Sequence, residues 1–555
     1  MKSASTLFAV AMSFLLLPAA FAKSPPGDDK DKDAANEIKQ APAISYFHPE
    51  EAMSQGSVSV GGGNVDYNAV AGTLVVHPKG WDDAPQTNAQ QEENAQSESN
   101  SDDKDNKNPT AEASMFYVAY FKRDAKPGTR PITFFFNGGP GSSTVWLHMG
   151  AFGPRRVLTS DDTHTPPAPY SIINNGQSLL DVTDMVFIDA PGTGFSRIAG
   201  PDKEKMFYGV DPDAHAFAEF INKFLSKYGR WNSPKYLFGE SYGTTRSAVL
   251  VNTLEQDFDT DFNGVILLSQ ILNFDLSPDG PLDNPGVNIP YQLALPSYAA
   301  TAWYHHKLPD NPPDLEALVA EVEQFAMNEY AHALNEGANL SDAEREAVAE
   351  KLHRYTGLPV AYIKKANLRI DGGMFEQNLQ GDSDMATGRL DSRFSGPAMD
   401  PLAKEAAYDP QGAAISSAYV SAFNDYVRRD LHYGRDKQFK PEIDVWKDWD
   451  NKHVLPGEDQ PSQGAANVMP DLAAAMKYNP DLKVLLNSGY FDLGTPFFEG
   501  QYEMRHLDIP VKLQGNIQFR LYKSGHMVYA HQDSLRELHD NVAAFIRETD
   551  NLPSK

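Results

Sequence analysis

The stretch Tyr236-Leu237-Phe238-Gly239-Glu240-Ser241-Tyr242-Gly243-Thr244-Thr245-Arg246-Ser247-Ala248-Val249-Leu250-Val251 decides the fold. It opens as a short apolar run and closes as a segment that can continue as a helix. Between the two lies a G-x-S-x-G pattern, Gly239 to Gly243. A strand that ends in such a turn and feeds a helix pushes its serine into a strained, exposed position. The two glycines let strand and helix approach closely. Ser241 is therefore a candidate nucleophile. An ordinary Gly-flanked serine in a strand-to-helix turn carries the same letters, so the surroundings must decide.

Outward from this stretch, short apolar runs alternate with helical patterns. The expected strands are Ile132–Phe136, Met185–Asp189, Tyr236–Phe238, Val265–Leu268, Lys483–Leu486 and Gln518–Tyr522. Continuous apolar runs of this length suit a mostly parallel sheet covered on both faces. One intervening helix is plain. Pro212 suits its first turn, Ala214, Phe217, Ala218, Ile221, Phe224, Leu225 and Tyr228 make one face, and Gly229 ends it. The fold class is α/β.

Two regions break this rhythm. Before it, Ser57 to Val76 reads as two strands around Gly61-Gly62-Gly63-Asn64, and Met115 to Phe121 resumes an antiparallel sheet. Between them, residues 81–110 carry eight acids against Lys104 and Lys107 and almost nothing apolar, the composition of a disordered loop. Within it, from Leu293 to Met469, the strand rhythm stops. Leu315 to Asn335 is helical in pattern, and Ser341-Asp342-Ala343-Glu344 is a capping box opening a helix that Gly357 closes. A largely helical insertion at this point sits over the C-terminal strand ends, where α/β sheets bind ligands.

The expected organisation is then a signal peptide at 1–22, a disordered linker at 23–42, and a β-region at 43–130. The α/β core follows in two parts, 131–292 and 470–555, around a helical cap at 293–469. Lys2, the apolar Leu7 to Leu17 and Ala20-Phe21-Ala22 have the order of an export signal. The 555 residues include no cysteine, which excludes disulfides, thiolate metal sites and a cysteine nucleophile. An exported chain of this size without disulfides points to a bacterial periplasm or medium. A net charge of −27 argues against nucleic acid or an anionic membrane as partner. No apolar run approaches membrane-spanning length.

A serine hydroxyl is a weak nucleophile and needs a base held by a third group. The chain supplies both on strand-end loops, in the order Ser, acid, His known from α/β-hydrolases. Asp492 follows the strand Lys483–Leu486, and His526 follows the strand Gln518–Tyr522. The roles are Ser241 as nucleophile, His526 as general base and then acid, and Asp492 orienting the imidazole. An oxyanion hole needs two backbone N–H donors. Tyr242, the residue after the nucleophile, supplies one. The loop Asn137-Gly138-Gly139-Pro140-Gly141-Ser142-Ser143 suits the other. It lacks both the Lys-Ser/Thr ending of a phosphate loop and the spacing of a dinucleotide fingerprint. The adjacent His305-His306 do not form a metal pair, and no metal or cofactor is called for.

Four motifs in order now carry a resemblance: Asn137 to Ser143, Ala190-Pro191-Gly192-Thr193-Gly194-Phe195-Ser196, Gly239 to Gly243, and Gly525-His526-Met527-Val528. Together they resemble the motif set of the serine carboxypeptidase family, over roughly residues 115–280 and 465–548. The resemblance implies an α/β-hydrolase fold and stepwise removal of C-terminal residues from peptides or proteins, often best at acidic pH. It implies that Asn137, Gly138 and Glu240 bind the substrate carboxylate and that Gly139 joins Tyr242 in the oxyanion hole. A protonated Glu240 can donate a hydrogen bond to a carboxylate, whereas an ionised one repels it. As a first-turn acid, Glu240 also suits a helix dipole. The chain departs from the family at Ser142, where a cysteine is common, at Ala151, where an acid supports the carboxylate site, and at Tyr490, where an aspartate is frequent. Arg155-Arg156, just beyond Ala151, read as a solvated pair. An esterase or acyltransferase would use the same triad, and a non-catalytic binding protein could keep the fold.

Overall fold

The computed structural model describes residues 45–83, 108–279, 281 and 284–553. The expected signal peptide, the linker and most of the acidic loop lie outside the described residues. The two ends of that loop meet: Asp82 N–H donates to Asn108 Oδ1 at 3.0 Å.

Nine strands form the backbone of one sheet. They are β1 (Glu51–Val60), β2 (Gly63–Val76), β3 (Glu112–Lys122), β4 (Ile132–Phe136), β5 (Asp184–Ile188), β6 (Lys235–Glu240), β7 (Gly264–Leu268), β8 (Lys483–Gly489) and β9 (Ile517–Tyr522). Their spatial order is β1-β2-β3-β5-β4-β6-β7-β8-β9, and a short strand, Arg197–Ala199, pairs with β3. The first three strands and the β3–β5 pair are antiparallel; every pair from β5 to β9 is parallel. β1 opens at Glu51, ahead of the expected Ser57. Its first residues alternate exposed and half-buried, so little apolar signal marks them.

Alternation along the parallel strands builds two cores. Phe135, Tyr236, Phe238, Ile266 and Leu485 face one side. Phe134, Phe136, Leu237, Val265, Leu267 and Val484 face the other. The second face is covered by α1 (Val210–Tyr228) and α2 (Tyr242–Asp257). Gly229 closes α1 with φ +62°, the left-handed cap expected of it.

Between β7 and β8 stand α3 (Ile289–Tyr304), α4 (Leu315–Phe325), α5 (Asp342–Thr356) and α6 (Pro410–Arg429). α3, α4 and α5 share an apolar cluster of their own, whereas α6 contributes to the first sheet core. Leu315 to Asn335 is helical as expected, with one wide turn, Ala326–Tyr330, ahead of a last short helix, Ala331–Glu336. The Ser341–Glu344 capping box is closed in both directions. After β8 come α7 (Phe497–Arg505) and α8 (Gln532–Thr549), the latter packed on the first core. Among the described residues no helix is long and apolar enough to cross a membrane.

Candidate active site

Ser241 joins β6 to α2 with φ +59° and ψ −130°, a conformation that L-residues rarely adopt. Such strain costs about 1–3 kcal/mol and persists only where the surroundings enforce it. The enforcing contacts are visible. A Cβ on Gly239 would overlap the carbonyl oxygen of Gly243, and one on Gly243 would stand 2.8 Å from the Phe136 oxygen. Both motif glycines are therefore needed for β4, β6 and α2 to close on one another.

The loop after β4 lies directly against this turn. A Cβ on Gly138 would collide with the backbone nitrogen of Tyr242. No hydrogen bond among the described residues engages the N–H of Gly139 or of Tyr242. Two donors are thus available side by side, the arrangement an oxyanion requires. Asn137 is held by its own acceptors: Oδ1 takes the Leu147 N–H at 3.1 Å, and its carbonyl takes Arg246 Nη1 at 2.8 Å. Arg246 is buried and paired with buried Asp213 at 2.6 Å.

Asp492 and His526 meet on the loops after β8 and β9, with Oδ2 2.8 Å from Nδ1. Asp492 is fully buried. Its Oδ1 accepts the N–H groups of Gly494 and Thr495, both at 2.9 Å, and Oδ2 accepts the Thr495 hydroxyl at 2.7 Å. Burial alone pushes the His526 imidazole down, but the adjacent carboxylate more than offsets it, so the ring titrates above its usual value. No hydrogen bond closes between Ser241 and His526 among the described residues. Catalytic contacts of this kind are often long before substrate binds.

Ser241 and His526 line one cavity of about 530 Å³ with Asn137, Gly138, Gly139 and Glu240. Glu240 is buried, and desolvation raises its carboxyl to about 7, against opposing pulls from His526, Tyr529 and Asn137. Glu240 Oε2 and the Tyr529 hydroxyl are both buried and close no hydrogen bond of ordinary geometry, although Tyr529 and Asn137 stand near enough to the carboxyl to favour its ionised form.

Arg156 is not solvated, contrary to the sequence reading. It is buried, with Nη2 donating to Gln532 Oε1 at 2.6 Å. The reason is tertiary: α8 brings Gln532 over it. Ala151 is fully buried, and beside it a Cβ on Gly150 would meet the Tyr419 hydroxyl and the Tyr529 ring. Tyrosines thus crowd the region where the family pattern has an acid.

Sequence reasoning missed Thr495, Tyr529 and the Arg246–Asp213 pair. Thr495 had a signal, since Asp492-Leu493-Gly494-Thr495 is the spacing of an aspartate that accepts from the backbone two and three residues on. Tyr529 and Arg246–Asp213 had none, because their partners are distant in sequence. Among the described residues no group of three or more His, Asp or Glu could hold a metal.

Comparison with known proteins adds the family. A family model described as Peptidase S10, serine carboxypeptidase, matches residues 105–547. The chain is 32% identical over 148 residues to serine carboxypeptidase S10 family member 1 of Dictyostelium discoideum, covering 25% of this chain and 30% of that protein. It is 33% identical over 135 residues to a carboxypeptidase Y homolog of Arthroderma benhamiae, covering 24% of each. Each alignment spans less than a third of the relative's own length. A proline iminopeptidase structure from Mycobacterium smegmatis superposes with a TM-score of 0.34 at 13% identity, covering 79% of this chain and 96% of that one. That likeness is too weak to bear on function.

Proposed function

The chain belongs to the serine carboxypeptidase family, and from that premise we propose that it removes residues from the C-termini of peptides through an acyl-enzyme on Ser241. His526 takes the Ser241 proton as Oγ attacks the scissile carbonyl. The N–H groups of Gly139 and Tyr242 receive the developing oxyanion. His526 then returns the proton to the leaving amine, and the C–N bond breaks. Water, deprotonated by the same imidazole, releases the acyl group and restores Ser241. Asp492 holds the ring in the tautomer and orientation these steps need.

One observation carries the exopeptidase reading. Glu240, next to the nucleophile and lining its cavity, is buried and keeps its proton up to about pH 7. A neutral carboxyl there can donate to the terminal carboxylate of a substrate. Asn137 and Gly138 complete that subsite in this reading.

The esterase or acyltransferase reading keeps one point in its favour: Ala151 stands where the family has a supporting acid. Hydrolysis of an N-blocked dipeptide against its C-terminal amide separates the two. A strong preference for the free acid supports the carboxypeptidase. Equal rates overturn it in favour of the esterase. Export belongs to the same proposal, supported by Lys2, Leu7 to Leu17, Ala20-Phe21-Ala22 and the lack of cysteine, which also favours a bacterial envelope.

A further inference from the structure

The loop Gly388 to Phe394, between β7 and β8 in the chain, grips both catalytic loops at once. Its residues line up against the Asp492 loop by two backbone bonds. Leu493 N–H donates to the Arg389 oxygen at 3.0 Å, and Ser392 N–H donates to the Phe491 oxygen at 2.9 Å. It meets the histidine loop by a third, from His526 N–H to the Leu390 oxygen at 2.6 Å. The fit at that point is tight: a Cβ on Gly525 would stand 2.5 Å from Asp391 Cα and from the Leu390 oxygen.

The loop is itself held from behind. Its Ser392 hydroxyl lies 2.6 Å from Thr301 Oγ1 on α3, and its Ser392 oxygen lies 2.6 Å from His305 Nε2. Asp409, at the start of α6, accepts the Arg389 N–H at 2.8 Å. Inside the loop, Asp391 and Arg393 form a buried bidentate pair. Arg393 Nε donates to Oδ1 at 3.0 Å and Nη2 to Oδ2 at 2.5 Å, and Asp391 is wholly buried. A paired, planar fork of this kind fixes direction as well as distance.

We propose that this strap sets the relative position of Asp492 and His526, and that Asp391 and Arg393 are positioning residues for catalysis. The reason lies in the topology. Asp492 and His526 sit at the ends of adjacent strands but on separate loops, which meet directly where Phe491 N–H donates to the Ser524 oxygen at 3.0 Å. A third segment bonded to both removes their freedom to drift apart. Because the strap is also anchored at the start of α6, whose Gln411, Gly412 and Ser416 line the cavity, it ties the geometry of the acid–base pair to the cavity wall.

The inference rests on the Ser241–Asp492–His526 reading, so the test must separate the two. Fluorophosphonate labelling of the wild-type chain at Ser241 checks the triad first; no labelling would sink that reading and the inference with it. With labelling established, Asp391→Asn is compared with wild type well below its melting temperature. The variant should lose about 10- to 100-fold in kcat with KM changed little, the cost of misplacing a catalytic group by about 1 Å. The labelling rate should fall in parallel. The downfield proton resonance of the Asp492–His526 hydrogen bond should shift or broaden. A purely structural role would lower the melting temperature yet leave kcat, labelling rate and resonance as in wild type, and that result overturns the proposal. If Asp391→Asn does not fold, Thr301→Val removes one of the two rear contacts at Ser392 and leaves that of His305. It should move the same resonance and slow labelling by a smaller factor, and an unchanged resonance and rate would again overturn the proposal.

Discussion

The two ends of the cavity are built on opposite plans. At the acid–base end, Asp492 has both oxygens occupied by backbone, hydroxyl and imidazole partners. At the other end, Glu240 is also buried, yet its Oε2 and the neighbouring Tyr529 hydroxyl close no hydrogen bond of ordinary geometry. An unpaired buried polar group costs about 1–3 kcal/mol. The first end therefore holds the carboxyl group and the ring in fixed positions. The second favours a neutral carboxyl and leaves hydrogen-bonding capacity unspent by the protein. Chemistry needs the former arrangement, and recognition of a carboxylate needs the latter.

The largest effect should come from breaking the acid–base end at its nucleophile. Ser241→Ala should lose on the order of 10⁶ in kcat while folding normally. His526→Ala should be comparably severe, and Asp492→Asn should lose about 10⁴, because orientation is lost rather than attack. Single-turnover rates on a blocked peptide check all three. Near-wild-type activity in Ser241→Ala would remove the basis for contrasting the two ends.

A finer cut at the same end is Thr495→Val. It deletes one donor to Asp492 Oδ2 and keeps the side chain's shape. A hydrogen bond to a charged group is worth about 1.5–3 kcal/mol. The expected loss in kcat is on the order of 10- to 100-fold. A variant as active as wild type would mean that the backbone N–H groups of Gly494 and Thr495 suffice to hold the aspartate.

How far each end can be read from sequence follows the same division. Ser241, Asp492 and His526 were legible because each sits at the end of an apolar strand, where periodicity and glycine spacing point to it. The parallel strands were legible for the same reason, since their runs are uniformly apolar. The first part of β1, Glu51 to Gly56, was not, because its residues alternate between exposed and half-covered. The strap at Gly388 to Phe394 was not, because its bonds to both catalytic loops are backbone bonds that leave no trace in residue type. Burial of Arg156 depends on Gln532, far along the chain, and no local pattern encodes it.

The recognition end should respond to pH rather than to loss of a nucleophile. Glu240 releases its proton near pH 7. Above that, in the proposed complex, an ionised Glu240 would face the substrate's own carboxylate. For a free-acid peptide, kcat/KM should fall about tenfold per pH unit beyond that point if recognition requires the neutral form, at least until another route to binding takes over. The amide of the same peptide should decline less. Glu240→Gln keeps a donor and cannot ionise, so its free-acid profile should stay flatter than wild type's, each scaled to its own maximum. Identical acid and amide profiles, unaltered in Glu240→Gln, would deny this end its role.

The smallest effect is on stability, and its sign is opposite to that of an ordinary surface carboxylate pair. In the unfolded chain Glu240 ionises near its ordinary 4.5; in the folded chain desolvation holds the proton to about 7. Between those values the folded state binds more protons than the unfolded state, so stability falls as pH rises through the window. Each pH unit is worth about 1.4 kcal/mol, so the full window amounts to about 3 kcal/mol. An unfolding entropy of about 2.1 cal/mol/K per residue makes 1 kcal/mol worth roughly 1 °C in a chain of this size. Other buried acids pull the same way: desolvation raises Asp189 to about 7 and lifts Glu503 above the usual carboxylate range. The informative quantity is therefore the difference between variants, in which those contributions cancel. From pH 4.5 to 7, wild type should lose about 3 °C more in Tm than Glu240→Gln does. Parallel melting curves across that window would mean that Glu240 is ionised at neutral pH, and the contrast between the two ends of the cavity would then be one of position, not of charge.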